Sequence, residues 1–243
     1  PVHCGQGRLV AILRTVDDAG PAVVVGTLKI GEQTVERCPR GRLDLGHEDQ
    51  LEPLTAAALK EKGLTITGSD QNVYPPMSTF LAERGIEVMN GYAERNLAHK
   101  PDLVIIGNAI SRGNPEAEFA LDHKLSFWSL PDLLREYFLR GRRCVVVAGT
   151  HGKTTTTALL TWVFEHNGLN PSYLIGGLPH NLGQGARFTS SEWVIIEGDE
   201  YDTAFFDKRS KFIHYLPEVA IINNVEFDHA DIFPNLAAIQ TTF

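Results

Sequence analysis

At 243 residues, 43% hydrophobic and 21% charged, the chain has the balance of a soluble globular protein and enough length for one large domain or two ordinary ones. Its 22 Lys+Arg against 30 Asp+Glu give a net charge of −8, which argues against nucleic acid as a partner while leaving room for a small anion at a local positive site. Three scattered cysteines (Cys4, Cys38, Cys144) with no metal-type pairing point to reduced thiols and a cytoplasmic setting, and no apolar run reaches the ~18 residues that cross a membrane.

In chain order, the first 50 or so residues are the hardest to place. Leu9–Arg14 and Ala22–Leu28 have strand composition, but turns and charges separate them and no helical partner follows. From about residue 57, strand and helix patterns alternate as in a βαβ parallel sheet. Leu64–Thr67 reads as a short strand, followed by a loop through Pro76, a helix over Met77–Arg84 and a second strand at Ile86–Met89. Pro101–Ile106 is a continuous apolar run ending in Gly107-Asn108, as a buried parallel strand should be. Pro115 suits the first turn of a helix that Asn114 caps, and Pro131–Leu139 is another helix with Ser129 as its cap.

Gly141-Arg142-Arg143 marks the junction to a second domain. Cys144–Ala148 then reads as a buried strand, and a helix runs from about Lys153 to His166. Tyr173–Ile175, Trp193–Glu197 and Val219–Asn223 supply three more strands, and a last helix begins near Asn235. The chain opens at Pro1 rather than Met and stops at Phe243 inside that helix, so both ends are expected to be cut.

Between the Cys144–Ala148 strand and the Lys153 helix lies Gly149-Thr150-His151-Gly152-Lys153-Thr154-Thr155. A strand, a Gly-rich turn and Gly-Lys-Thr opening a helix together make a phosphate cradle: glycines admit the oxygens to backbone N–H groups, and the helix start adds partial positive charge. Lys153 would reach the terminal phosphates of ATP, and a Thr hydroxyl would join the Mg2+ shell. The general GxxxxGK[ST] pattern asks for Gly where this chain has Val147, so only the short form is present. Glu197 ends one strand, within Glu197-Gly198-Asp199-Glu200-Tyr201-Asp202, and His229 follows another. In an open parallel sheet, residues just past the carboxyl ends of adjacent strands meet at one crevice, which would gather Thr154, Glu197 and His229 around one metal ion. Magnesium prefers oxygen, so an imidazole among the ligands also suits manganese.

Val146–Thr157, Glu197–Asp202 and Asn223–Asp231 resemble the Mur ligase family, enzymes that build or recycle the peptide stem of bacterial cell-wall precursors. Tyr74–Thr79, Gly107–Pro115 and Ala204–Phe212 are similar to the branch of that family that attaches a salvaged peptide, and the resemblance covers about residues 57–243. It implies an α/β protein, with a Rossmann-like UDP-sugar domain at 55–141 and a truncated P-loop-type parallel-sheet ATPase domain at 142–243. It also implies a reaction: ATP phosphorylates the lactyl carboxylate of UDP-N-acetylmuramate, and the amino group of L-Ala-γ-D-Glu-meso-diaminopimelate then displaces phosphate. By the family pattern Lys153 and His229 are catalytic, Thr154, Glu197 and His229 hold metal, and Asp70, Asn108 and Asn114 face the sugar nucleotide.

Two departures follow. Residues 1–54 do not resemble the family and stay unassigned; where a Gly-rich diphosphate loop is expected before Leu54–Lys62, the chain has the acidic Gly46–Pro53 with a single glycine. The family also continues beyond this point with the rest of its ATPase domain and a third domain, so the isolated chain is expected to be inactive. Two alternatives stand: the L-alanine-adding branch, disfavoured by Phe205–Phe212, and a non-catalytic nucleotide-binding module. The cluster Lys208-Arg209-Ser210-Lys211 reads as a solvated loop, with docking of an acidic peptide as its functional alternative.

Overall fold

Leu103, Val104, Ile105 and Ile106 are buried at every position, which an alternating one-faced strand cannot achieve and a covered parallel sheet can. A computed structural model describes residues 22–26, 51–73, 75, 77–228 and 232–243, with the backbone alone at 22–26, 51–52 and 77. Strand Leu9–Arg14, Cys4, Cys38, the Gly46–Gln50 stretch, Tyr74, Pro76 and His229 lie outside the described residues. Two compact units result: Ala22–Gly26 with Glu52–Leu130, and Pro131–Phe243.

The first unit holds strands β1 (Ala22–Gly26), β2 (Thr65–Asp70), β3 (Glu87–Asn90), β4 (Leu103–Ile106) and β5 (Phe127–Ser129), in the order β3-β2-β1-β4-β5, all parallel. Helices α1 (Leu51–Glu61), α2 (Met77–Glu83) and α3 (Pro115–Asp122) join them. Strand β1, left without a role by its sequence, is the middle of this sheet: Val24 pairs with Thr67 on one side and Val104 on the other. A β-branched run ending in glycine suits a central strand, but nothing in it names its partners. Asn114 caps α3 as expected, its Oδ1 accepting from the amides of Glu116 (2.9 Å) and Ala117 (3.2 Å).

In the second unit, α4 (Leu130–Leu134) opens a segment expected to be one helix through Leu139. It instead widens into a π turn over Arg135–Leu139, where the Arg140 amide reaches back to Arg135 O at 2.8 Å. The extra residue accompanies burial of Phe138 against Phe188, ring centroids 3.9 Å apart. This contact joins 135–139 to the second unit, so the division falls after Leu130 rather than at Gly141–Arg143. Strands β6 (Arg143–Ala148), β7 (Ser172–Leu174), β8 (Ala186–Arg187), β9 (Trp193–Glu197) and β12 (Val219–Ile222) form a sheet in the order β12-β6-β9-β7-β8, with only β8 antiparallel. The intervening β10 (Asp202–Ala204) and β11 (Asp207–Ser210) make a separate antiparallel hairpin, a feature the charged residues had concealed.

Helix α5 (Lys153–His166) crosses this sheet. Four consecutive threonines are poor helix formers, yet Thr157 and Thr161 are fully buried and Thr157 Oγ1 donates to Lys153 O at 2.8 Å, so packing and an internal hydrogen bond override propensity. The core beneath comprises Val145, Tyr173, Ile175 and Ile195, edged by Phe164 and Trp193. Because β6 is flanked by β9 on one side and β12 on the other, its carboxyl end opens between two strand ends, where such sheets bind ligands.

Candidate active site

The turn after β6 is possible only with glycine. Gly149 has φ +117, and a Cβ there would lie 2.7 Å from Asn224 O, closer than real contacts allow. The close approach serves a lacing of the loop to the end of β12. The Thr150 amide donates to Asn224 O (3.1 Å), the His151 amide to Asn224 Oδ1 (2.8 Å), and Asn223 Nδ2 to His151 O (3.2 Å) and Thr156 Oγ1 (3.1 Å). Thr150 Oγ1 exchanges hydrogen bonds with the backbone of Glu226, accepting at 2.9 Å and donating at 3.1 Å. Gly152, with φ +78, then turns the chain into α5. Helix geometry leaves the amides of Lys153, Thr154 and Thr155 without intrahelical acceptors at this N-terminus.

On the side of β9, Thr154 Oγ1 donates to Glu197 Oε1 at 2.8 Å, and the Gly176 amide donates to Glu197 Oε2 at 2.8 Å. A Cβ on Gly176 would come within 3.2 Å of that carboxylate, so a small residue keeps the acid accessible to the loop. Lys153 curls over the loop. Its Nζ donates to Gly149 O (2.9 Å) and Thr150 O (3.3 Å) and pairs with the Glu200 carboxylate at 2.7–2.8 Å. Glu200 is only 3% exposed and is held from behind, since Ser210 Oγ donates to its carbonyl at 2.6 Å.

Asp199 beside it pairs with Lys211 at 2.6 Å. Burial works against the charge of Asp199, but the Lys211 ammonium, a hydrogen bond from the Tyr201 amide and the field of Lys153 together hold its carboxyl below the usual range. The four-residue cluster expected to be solvated is therefore divided. Lys211 is buried on Asp199, Ser210 holds Glu200, and Lys208 and Arg209 stay exposed.

Of the three residues expected at the strand ends, Thr154 and Glu197 meet directly and His229 lies outside the described residues; Lys153 sits beside them on Glu200. Among the described residues no group of three or more His, Cys, Asp or Glu side chains forms a metal cluster. A Thr hydroxyl and a carboxylate oxygen 2.8 Å apart nevertheless suit Mg2+, which takes hard oxygen ligands and draws the remainder from water and phosphate. In the first unit, Asp70 is buried at the end of β2, with its Oδ1 accepting from the Asn72 amide at 3.1 Å and its carbonyl from the Gly91 amide at 2.6 Å. Asn108 is half-buried just past β4, and the Asn114 side chain is occupied by its cap. Sequence reasoning did not single out Glu200, Asn223, Asn224 or Gly176. A signal existed for the asparagines, adjacent amides directly after an apolar strand, but none showed which loop they would lace.

The model of the Mur ligase family catalytic domain matches residues 53–142, and that of the Mur ligase middle domain matches residues 147–243. The chain belongs to the Mur ligase family. Its phosphate-type loop, Glu197 and Glu200 all fall within the Mur ligase middle-domain match. Over 188 residues it is 56% identical to the UDP-N-acetylmuramate–L-alanyl-γ-D-glutamyl-meso-2,6-diaminoheptandioate ligase of Haemophilus influenzae, a match covering 77% of this chain and 42% of that relative. The crystal structure of the ligase of the same substrates from Neisseria meningitides superposes with a TM-score of 0.80 at 43% identity, covering 93% of this chain and 67% of that one. A UDP-N-acetylmuramate–L-alanine ligase from Methylobacterium is 36% identical over 189 residues, 77% of this chain and 38% of the relative. This Mur ligase chain spans about two fifths of the length of these curated relatives.

Proposed function

We propose that the second unit binds MgATP and activates a carboxylate as an acyl phosphate, within a ligase that joins UDP-N-acetylmuramate to L-Ala-γ-D-Glu-meso-diaminopimelate in the cytoplasm. The observation that carries this is the juxtaposition of Lys153, Thr154 and Glu197 at one helix start. The greater identity to the peptide-adding relative than to the L-alanine-adding one supports the amino substrate.

The chemistry needs two anions to meet, a carboxylate and a triphosphate. The amides at the start of α5 receive the phosphates, and Lys153 turns from Glu200 toward the terminal phosphoryl group, whose oxygens gather charge as it transfers. Thr154 and Glu197 would hold Mg2+, which supplies further neutralisation of phosphate charge when bound. A carboxylate oxygen forms the new bond to γ-phosphorus while the bond from γ-phosphorus to the bridging oxygen breaks, leaving ADP. The free amine then attacks the acyl carbon, the carbon–oxygen bond to phosphate breaks with its electron pair, and the nitrogen loses a proton. His229 is assigned to the metal by the family pattern alone. Residues 55–141 are assigned to the sugar nucleotide, with Asp70, Asn108 and Asn114 facing it, Asn114 from the cap of α3.

A chimera tests the assignment. Residues 57–243 of this chain, substituted for the matching segment of the Haemophilus influenzae relative, are expected to retain tripeptide-dependent ADP release and to give none with L-alanine. Turnover on L-alanine would transfer the chain to the other branch. Nucleotide binding with no turnover on either amine would favour a non-catalytic module.

A further inference from the structure

Glu116 stands in the first turn of α3 yet is only 5% exposed, an uncommon place for a carboxylate. Its Oε2 accepts from Ser69 Oγ at 2.5 Å, and its Oε1 accepts from Asn96 Nδ2 at 2.6 Å and from the Ala93 amide at 3.2 Å. These three donors are neutral, so fixed dipoles solvate the acid. Burying a carboxylate in this way costs free energy that an apolar side chain of similar volume would not, which makes core stability alone a poor account of it. What the arrangement gains is direction, because each bond fixes a different piece of chain.

Those pieces close into a ring. Ser69 is followed by Asp70, whose carbonyl accepts from the Gly91 amide at 2.6 Å; the Gly91 carbonyl accepts from Asn96 Nδ2 at 3.0 Å; and Asn96 returns to Glu116. Asp70 Oδ1, accepting from the Asn72 amide, shapes the turn that leaves the ring. The ring lies at the carboxyl end of the sheet. Gly26, the last residue of β1, pairs with Ser69 of β2 on one side and with Ile106 of β4 on the other, and Glu116 belongs to the helix that follows β4. The bond from Ser69 to Glu116 therefore ties together the two neighbours of β1, at the place where the strand order reverses and such sheets receive ligands.

We propose that Glu116 is a positioning residue for the sugar nucleotide. Through the ring it sets Asp70, the turn after Asp70 and the start of α3 that Asn114 caps in the geometry that receives the ligand, and it touches no substrate itself. The proposal rests on the assignment of residues 55–141 to UDP-N-acetylmuramate above and adds the residue that holds that site in shape. Groups that contact a ligand bind well only when their supporting shell fixes them, and a buried acid with three directional bonds supplies that support to three segments at once.

Calorimetric titration of the full chain with UDP-N-acetylmuramate, at a temperature where each variant is folded by circular dichroism, tests the role. The parent is expected to bind. Glu116→Ala leaves the Ser69 hydroxyl, the Asn96 side-chain amide and the Ala93 N–H without their acceptor, and affinity should fall at least tenfold. Glu116→Gln keeps an oxygen for Asn96 and Ala93 and offers an amide N–H to Ser69 Oγ, so affinity should stay within threefold of the parent. Ser69→Ala cuts the link to β2 alone and should weaken binding at least threefold. ATP affinity should remain within twofold in all three variants. A purely structural acid would lower the denaturation midpoint of Glu116→Ala and leave the affinity of the folded protein unchanged. Parent-like affinity in both Glu116→Ala and Ser69→Ala, or a tenfold loss in Glu116→Gln as well, would overturn the role alone; should Glu116→Ala not fold, Ser69→Ala decides. Absence of UDP-N-acetylmuramate binding by the parent would reject the assignment of residues 55–141, and the role with it.

Discussion

Replacing Gly149 by alanine separates the geometry of this loop from the general liking of turns for glycine. At φ +117 any side chain is strained, at a cost of about 1–2 kcal/mol. The added Cβ would also sit 2.7 Å from Asn224 O and 3.0 Å from Asn224 N, backbone atoms that cannot swing aside. Relief requires the loop to part from the end of β12, which breaks the Thr150 amide bond to Asn224 O and the His151 amide bond to Asn224 Oδ1. At about 1 kcal/mol each, these bring the expected loss to roughly 3–4 kcal/mol. Gly141 is the control: its φ of +78 is also positive, but nothing lies within 4 Å of its Cβ position. With a urea slope of about 2 kcal/mol per molar, Gly149→Ala should move the denaturation midpoint down by about 1.5–2 M, and Gly141→Ala by about 0.5–1 M. Equal shifts for the two variants would show that the Asn224 contact does not determine the loop's conformation.

Other perturbations act on the charges around the loop. Glu200→Gln removes the anion that competes with phosphate for Lys153, so nucleotide should bind about tenfold more tightly by fluorescence titration, the low end of a charge-assisted hydrogen bond at ~1.5 kcal/mol. Weaker binding would mean that Glu200 aims the lysine rather than occupying it. His214, 4% exposed, lies 3.2 Å from Asp207 and 3.7 Å from Asp132, and burial depresses its pKa despite the pull of both carboxylates. A depressed folded-state pKa means that the unfolded chain takes up the proton first. Stability should therefore be complete above the ordinary imidazole value near 6.5 and fall as the pH drops below it, by at most ~1.4 kcal/mol per pH unit. His214→Gln should flatten that segment of the stability curve between pH 7 and 5, and an unchanged slope would remove His214 as its cause.

Much of the site was legible because its signals are local. A β-branched strand, a Gly-Lys-Thr turn and a helix are adjacent in sequence, and Glu197 announces itself as an acid at the end of an apolar strand. What escaped depends on tertiary neighbours. Ala22–Gly26 carries a strand's composition, but its place between β2 and β4 is set by parallel pairing with partners tens of residues away, for which no turn signal exists. The Asp202–Ser210 hairpin is rich in charge and reads as loop; its strands persist because Asp202 pairs with Lys208, Thr203 Oγ1 donates to Arg209 O at 2.8 Å, and Ser210 is buried on Glu200 O. Lys211 likewise reads as a surface lysine until Asp199 is placed opposite it. The π turn at Arg135–Leu139 follows from the seat of Phe138, which helical periodicity does not encode.

If Thr154 and Glu197 share a metal–nucleotide site, ATP affinity depends on magnesium through Glu197, and that dependence is the most direct measurement of the site. Calorimetry on the parent chain should show ATP binding at least tenfold tighter with Mg2+ than with EDTA. In Glu197→Gln that difference should vanish while the metal-free affinity persists. Full magnesium dependence in the variant would place the ion elsewhere and contradict the assignment.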